Sequence, residues 1–339
     1  MLQGAQVMAC TIYDLAEAAG VSIATVSRAL NNHYAVSEET KAHILKLAEE
    51  MDYRPNARAR SFAKQRSGIV LFFTDLHRNV AFENPHMFEI MTGISQYLDE
   101  KNYAMLLKHA TTKDAPQTIR EMMIQEQADG VIIHAAILSK ALAGMLSHLS
   151  FPHLVIGKPD FPTSISWMDV NHEQAGQKAA SYLLDKGYRH MVFLMGDKES
   201  DKISTARRSG MLQMFDEEEL TFTTLYGDST YESGLQLAEE ALSMPERPDI
   251  FLCTNNYLAM ACLQVLRHKG LCSPKDIAIM TFDNYPFAML TQPQLTAIEA
   301  DMYDMGQEAA RFILRKIKKP ELQTQSYCTI PRIIEREST

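Results

Sequence analysis

Residues 11–32 read TIYDLAEAAGVSIATVSRALNN, which predicts two short amphipathic helices divided by a three-residue turn, Gly20-Val21-Ser22. Thr11 stands before IYDLAEAA with Asp14 three positions on, a capping box in which Asp takes the usual place of Glu. Ile12, Leu15, Ala16 and Ala19 share one face, and Gly20 suits the positive φ that ends a helix. Ser22 caps the second helix, IATVSRALN, whose Val26 and Leu30 lie four apart. Ser37 caps a third over residues 38–51, EETKAHILKLAEEM, with Ile44, Leu45, Leu47, Ala48 and Met51 expected to be its buried stripe. Two helices joined so tightly make a helix-turn-helix, although hairpins in ordinary helical bundles look similar.

The charge around this unit is uneven. The 339-residue chain carries a net −9, yet residues 1–66 hold eight basic side chains against seven acidic ones. Residues 53–66, YRPNARARSFAKQR, contain five basic groups and no acid. A basic stripe on an acidic body fits a nucleic-acid arm, and a solvated charged linker would give the same count.

From residue 68 the texture changes to short apolar runs alternating with amphipathic helices. Ile69–Thr74, Ala104–His109, Gly130–His134, Leu154–Gly157, Met191–Met195, Phe222–Tyr226, Ile250–Thr254 and Ile277–Phe282 read as strands. Strands apolar on both faces belong to a doubly wound parallel α/β sheet. The pattern occurs twice, around 68–165 and 170–295, with a tail able to return to the first half. Two such lobes place a ligand cleft between the carboxyl ends of their strands.

Several function classes are excluded. No apolar run approaches the ~20 residues that span a bilayer, and MLQGAQVMAC has no export-signal pattern, so a cytosolic protein without membrane partners is expected. Five scattered cysteines, with no C-x-x-C, and eleven scattered histidines offer no disulfide framework or metal-ligand spacing, so no metal or cofactor is expected. G-x-G-x-x-G after the first strand, G-x-x-x-x-G-K-[ST] and G-x-S-x-G are all missing, which argues against an enzyme of the doubly wound class.

The N-terminal residues resemble the headpiece and hinge of the LacI/GalR family of bacterial repressors. The matching features, in order, are T-x-x-D-L-A, A-G-V-S, T-V-S-R, N-N, V-S-x-x-T and Y-x-P-N-A-x-A-R-S. The core is similar to the family's periplasmic-binding-protein-like sensor at Arg207-Arg208-Ser209-Gly210, Thr254-Asn255-Asn256, Phe282-Asp283 and Pro293–Ile298. Gly157-Lys158 and Asn84-Pro85 look most like the maltose-type regulators of that family. The resemblance implies a headpiece over 1–52, a hinge over 53–66 and a two-lobed core over 67–339. The lobes would divide as about 68–168 with 298–328, and 169–297 with 329–339.

It also implies a homodimeric repressor on a pseudo-palindromic double-stranded operator, controlled by a small carbohydrate effector. The DNA-binding set carried over is Thr11, Ser22, Ile23, Ala24, Thr25, Ser27, Arg28 and Asn31, then Tyr53, Asn56, Arg58, Arg60 and Phe62. Arg28 suits guanine O6 and N7, Ile23 and Ala24 suit a thymine methyl, and the Thr25 and Ser27 hydroxyls suit phosphate. Local caps and a solvated arginine are the competing readings of Thr25, Ser27 and Arg28. Phe62 stands where the family places a minor-groove leucine, and phenylalanine can also act as such a wedge. Arg207, Asn255 and Asp283 fall at effector positions, with Asn84, His86, Trp167 and Asp169 as further cleft candidates. Asn255-Asn256 departs from the common Asn-Asp of the family. Control by a phosphocarrier protein, or a sugar-binding role without regulation, are the alternatives.

Overall fold

The capping signals of the first helices take the forms their residues dictate. In the computed structural model, which describes residues 10–30, 35–53, 66–78, 84–125, 127–196, 201–215, 220–322 and 325–339, α1 spans Ile12–Ala18, α2 Ile23–Leu30 and α3 Glu38–Glu50. Thr11 and Asp14 close a reciprocal capping box, and Gly20 turns the chain with φ +64°. The Thr25 amide donates to Ser22 Oγ at 3.2 Å, and the Thr40 amide to Ser37 Oγ at 3.2 Å. Leu15, Val26, Ala29, Ile44 and Ala48 are buried together at the centre of this small unit. Leu45 is corrected: it is 45% exposed, because it follows Ile44 by about 100° of helix turn and points away from α1 and α2.

The chain divides into Met1–Gly68 and Ile69–Thr339. In the second unit the first sheet contains β1 (Ile69–Thr74), β2 (Ala104–His109), β3 (Gly130–His134), β4 (His153–Ile156), β5 (Trp167–Val170) and β11 (Tyr327–Thr329). Its order is β11-β5-β4-β3-β1-β2, parallel throughout. The second sheet contains β6 (His190–Met195), β7 (Thr221–Tyr226), β8 (Ile250–Cys253), β9 (Ala278–Thr281), β10 (Thr296–Glu299) and β12 (Arg332–Ile334). Its order is β12-β10-β9-β8-β6-β7, parallel except for β12 against β10. Buried residues on both faces of each sheet, such as Phe72 and Phe73 or Phe251 and Leu252, explain the uninterrupted apolar runs.

The chain passes between the sheets three times, after β5, after β10 and after β11. These crossings follow Val170, Glu299 and Thr329, so the expected lobe limits at 168, 297 and 328 move by one or two residues. The reason is that each crossing strand completes its ladder before leaving its sheet: Val170 pairs with Thr329, and Glu299 with Arg332. Helices cover both sheets. Two of them, α7 (His172–Asp185) and α8 (Lys202–Leu212), meet so closely that a Cβ at Gly176 would lie 1.8 Å from the Arg207 carbonyl oxygen. A Cβ at Gly210 would lie 1.9 Å from that of Glu173. This backbone contact fixes the base of Arg207 at the edge of the second lobe.

Candidate functional site

At the N-terminal end of α2 the exposed side chains are Ser22, Ile23 and Ala24, with Arg28 exposed one turn later. Ile23 is 38% exposed, which an apolar residue of a three-helix unit does not need for packing. Ser22 Oγ and Thr25 Oγ1 lie 2.9 Å apart, and Thr11 Oγ1 donates to Asp14 Oδ2 at 2.8 Å, so these hydroxyls also hold helix ends. Thr25, Ser27 and Tyr53 are half-buried. Asn31, Asn56, Arg58, Arg60 and Phe62 lie outside the described residues.

The second site is the cleft at the carboxyl ends of the two sheets. His86 comes from the first turn of α4 (Pro85–Glu100) in the first lobe, and Asp283 follows β9 in the second. His86 Nε2 donates to Asp283 Oδ1 at 2.8 Å, a hydrogen bond from lobe to lobe, with the carboxylate side chain 13% exposed. The Tyr285 ring meets the His86 ring edge-on at 4.5 Å. Burial raises the Tyr285 phenol well above its ordinary pKa, with the Asp283 and Glu89 charges adding to it, so it acts as a neutral hydroxyl.

Arg207 is 9% exposed, lies over the Phe282 ring at 4.6 Å and donates from Nη1 to the Thr254 carbonyl at 3.2 Å. Burial pulls its guanidinium below the usual range, while the Asp283, Asp201 and Asp169 charges pull the other way. Asp169 accepts from the Lys158 and Val170 amides at 2.7 Å each and lies 3.4 Å from His172 Nε2. Burial opposes its ionisation, yet these partners together hold its carboxyl below the ordinary carboxylate value. Burial lowers the pKa of His172, and of His134, whose Nδ1 lies 3.2 Å from Thr74 Oγ1.

Six buried polar atoms in these segments have no partner: His86 Nδ1, His172 Nδ1, Arg207 Nε, Thr254 Oγ1, Asn256 Oδ1 and Tyr285 Oη. Buried polar groups are nearly always hydrogen-bonded, so each of these atoms is a position that a polar ligand or ordered water would satisfy. A cavity of about 830 Å3 reaches two of these residues, Asn256 and Tyr285, and is lined besides by Pro85 of the first lobe and by Asp228–Glu232, Asn255, Tyr257, Asp283 and Phe287 of the second.

Not all expected cleft residues arrive. Trp167 packs partly buried on one face of the first sheet, with Lys158 Nζ 5.9 Å over its ring, and is not among the residues lining this cavity. Asn84 caps α4, accepting the Met87 amide at 3.2 Å, and does not line the cavity. Asn255 lines it but spends its amide on structure. Its oxygen accepts the Leu258 amide at 2.9 Å, and its nitrogen donates to the Ser229 carbonyl at 3.0 Å. His172 and Tyr285 are not named from the sequence; Thr254 and Asn256 stand there within the Thr254-Asn255-Asn256 match but not as cleft residues. Tyr285 lies two residues from Asp283, the one local signal that points to it.

The sequence pattern described as "Bacterial regulatory proteins, lacI family" matches residues 11–56, and that of a "Periplasmic binding protein-like domain" matches 180–339. The chain belongs to the lacI family of bacterial regulatory proteins. It is 28% identical to catabolite control protein A of Priestia megaterium, over 98% of this chain and 100% of that protein. It is 27% identical to the probable HTH-type transcriptional repressor ExuR of Bacillus subtilis (strain 168), over 97% and 98%. The fold is that of a lac repressor dimer bound to operator and the anti-inducer ONPF, with TM-score 0.80, 21% identity, and 98% and 99% of the two chains covered. A lacI-family regulator is a DNA-binding transcription regulator and not an enzyme. Among the described residues no helix is long and apolar enough to cross a membrane.

Proposed function

We propose that this chain is a repressor that binds a pseudo-palindromic operator as a homodimer, in the bacterial cytoplasm, and whose operator affinity is set by a small carbohydrate held between the core lobes. The observation that carries the effector half is the His86–Asp283 hydrogen bond across the lobes, where His86 Nδ1 and the hydroxyl of the adjoining Tyr285 are buried without partners. A polyol reaching these groups would satisfy them and alter the contact that couples the lobes. Asp283 accepts from vicinal hydroxyls, and Arg207 Nε donates. Solved relatives include a regulator in complex with cellobiose and one with bound ribose, which favours the same chemistry here.

The operator half rests on the exposed N-terminus of α2. Ile23, Ala24 and Arg28 are assigned to base edges in the major groove, with Thr25, Ser27 and Tyr53 at the sugar-phosphate backbone. Asn31, Asn56, Arg58, Arg60 and Phe62 complete the set by family resemblance. The test is selection of duplex DNA by full-length protein, followed by titration of the selected operator complex with saccharides. Asp283→Asn should abolish the saccharide response while leaving operator affinity within threefold. Loss of both activities together in a folded variant would return Asp283 to a purely structural role.

A further inference from the structure

The core is acidic, with 25 basic against 35 acidic side chains beyond residue 66, yet one end of its first lobe is not. The helix Met302–Lys318 runs out in Arg315, Lys316, Lys318 and, just past it, Lys319, four cations in five consecutive positions. Phe312, Ile313, Leu314 and Ile317 of the same turns are buried in the first lobe, so packing fixes this end. Arg315, Lys318 and Lys319 are exposed, and among the described residues no carboxylate pairs with them. Lys316 is half-buried with Nζ 5.9 Å over the Phe312 ring, and Arg311, one turn earlier, is spent on Glu308 and Tyr97.

The position of these cations in the lobe is defined by Ile317. Its side chain lies 3.3 Å from where a Cβ of Gly130 would stand. Gly130 opens β3 and pairs with Val70 at the start of β1, and the Asp129 amide donates to the Ile69 carbonyl at 2.8 Å. The basic turn therefore lies at the amino ends of the strands, the opposite end of the sheet from the ligand cleft. The chain enters the core at this same end, coming from the helix-turn-helix unit through the basic segment 53–66.

We propose that the core itself binds DNA: Arg315, Lys318 and Lys319 contact the phosphate backbone of the duplex flanking the operator. The dipole of a helix favours cations at its C-terminus. Arg315, however, stands three and four positions before Lys318 and Lys319, spacings at which like charges repel on a helix. A polyanion turns that repulsion into attraction. Duplex DNA carries one negative charge per ~1.7 Å of its axis, so three clustered cations meet phosphates whatever the base sequence. The contact adds affinity and salt dependence but no sequence preference. Residues 53–66 tether the first unit to this end of the core by ~50 Å at most, even fully extended.

The experiment measures the affinity of full-length protein, across a salt series, for two duplexes that share one selected operator. One is trimmed to the operator and the other extended by ~10 base pairs, one helical turn, on each side. Wild type should bind the longer duplex at least fivefold tighter at low salt. In Arg315→Gln/Lys318→Gln/Lys319→Gln that advantage should vanish, and the salt slope on the longer duplex should fall by about 1–3. Affinity for the trimmed operator should stay within twofold, and sequence preference should not change. Lys318→Arg/Lys319→Arg keeps the charges and should bind as wild type does. Thermal melts of both variants should match that of wild type, since the replaced side chains are exposed. Equal affinity of wild type for the two duplexes overturns the proposal. So does an unchanged advantage and slope in the triple variant, which would leave the cations to the helix end or to an acidic protein partner.

Discussion

Arg28 and Ile23 show what a single exposed side chain does on a small scaffold. Both stand clear of the three-helix core while Val26 and Ala29, on the same helix, are 0% and 1% exposed. A residue free of packing duty can be replaced without unfolding its unit, so Arg28→Ala should leave headpiece stability within ~0.5 kcal/mol. If Arg28 reads a guanine, it should relax preference at one position of each half-site, worth ~1–3 kcal/mol there. Selection of binding sites by the variant checks this, and an unchanged sequence preference would assign Arg28 to phosphate. The buried histidines act oppositely, on stability. Burial lowers the pKa of His134, His153 and His172 in the folded core, most simply by penalising the charged ring. Each therefore stays neutral in the fold while its unfolded counterpart, near ~6.5, takes up a proton. Their contribution is fully present above pH ~6.5 and is lost as pH falls toward the lower folded values, at up to ~1.4 kcal/mol per pH unit for each ring. The melting temperature should consequently drop between pH 7 and pH 5, and drop less in His172→Gln. A flat profile over that window would mean the rings are solvated in the fold.

At the scale of elements, glycine separates tolerant from intolerant helix positions. Gly144, on the helix Lys140–Ser147, has nothing within 4 Å of its would-be Cβ, and the site is exposed. Gly144→Ala should stabilise the core by ~0.5–1 kcal/mol through helix propensity alone. Gly210→Ala puts a methyl into the Glu173 carbonyl and must push α7 from α8, costing ~1–3 kcal/mol or more. Since that contact seats Arg207, saccharide affinity should fall with it. Thermal melts of the two variants, which should move in opposite directions, check the pair. Elements of this kind were legible to different degrees. The caps at Thr11, Ser22 and Ser37 rest on local hydrogen bonds between neighbours three apart, so the sequence states them outright. β1, β2 and β3 are fully apolar or pattern-bearing runs of five or six residues and are read to the residue. β5, β10, β11 and β12 escaped because runs of three or four residues are too short to carry a periodicity. The cleft was half legible: motif-bearing Arg207 and Asp283 could be named. The partnership of His86 with Asp283 spans 197 positions, and no spacing rule reaches that far.

For the whole molecule the question is how two sites on one chain exchange free energy. The core crosses between its lobes three times, so a change in lobe angle is shared by the segments after Val170, Glu299 and Thr329 together. No one of them can move alone without breaking its ladder, and that favours discrete arrangements over gradual bending. If a saccharide prefers one arrangement and operator DNA prefers one too, the two ligands are linked whatever path joins them. Linkage then demands reciprocity: the factor by which saccharide changes operator affinity equals the factor by which operator changes saccharide affinity. Couplings of this sort run to ~1–3 kcal/mol, or about 5–150-fold. Saccharide affinity should be measured on free protein and on protein saturated with operator duplex, and operator affinity with and without saturating saccharide, at one salt concentration. The two ratios should agree and exceed fivefold. His86→Ala removes the direct lobe-to-lobe hydrogen bond, so it should shrink both ratios equally, even if each single affinity also shifts. Should the variant keep the full coupling, the lobes communicate through the three crossings and not through the His86–Asp283 contact.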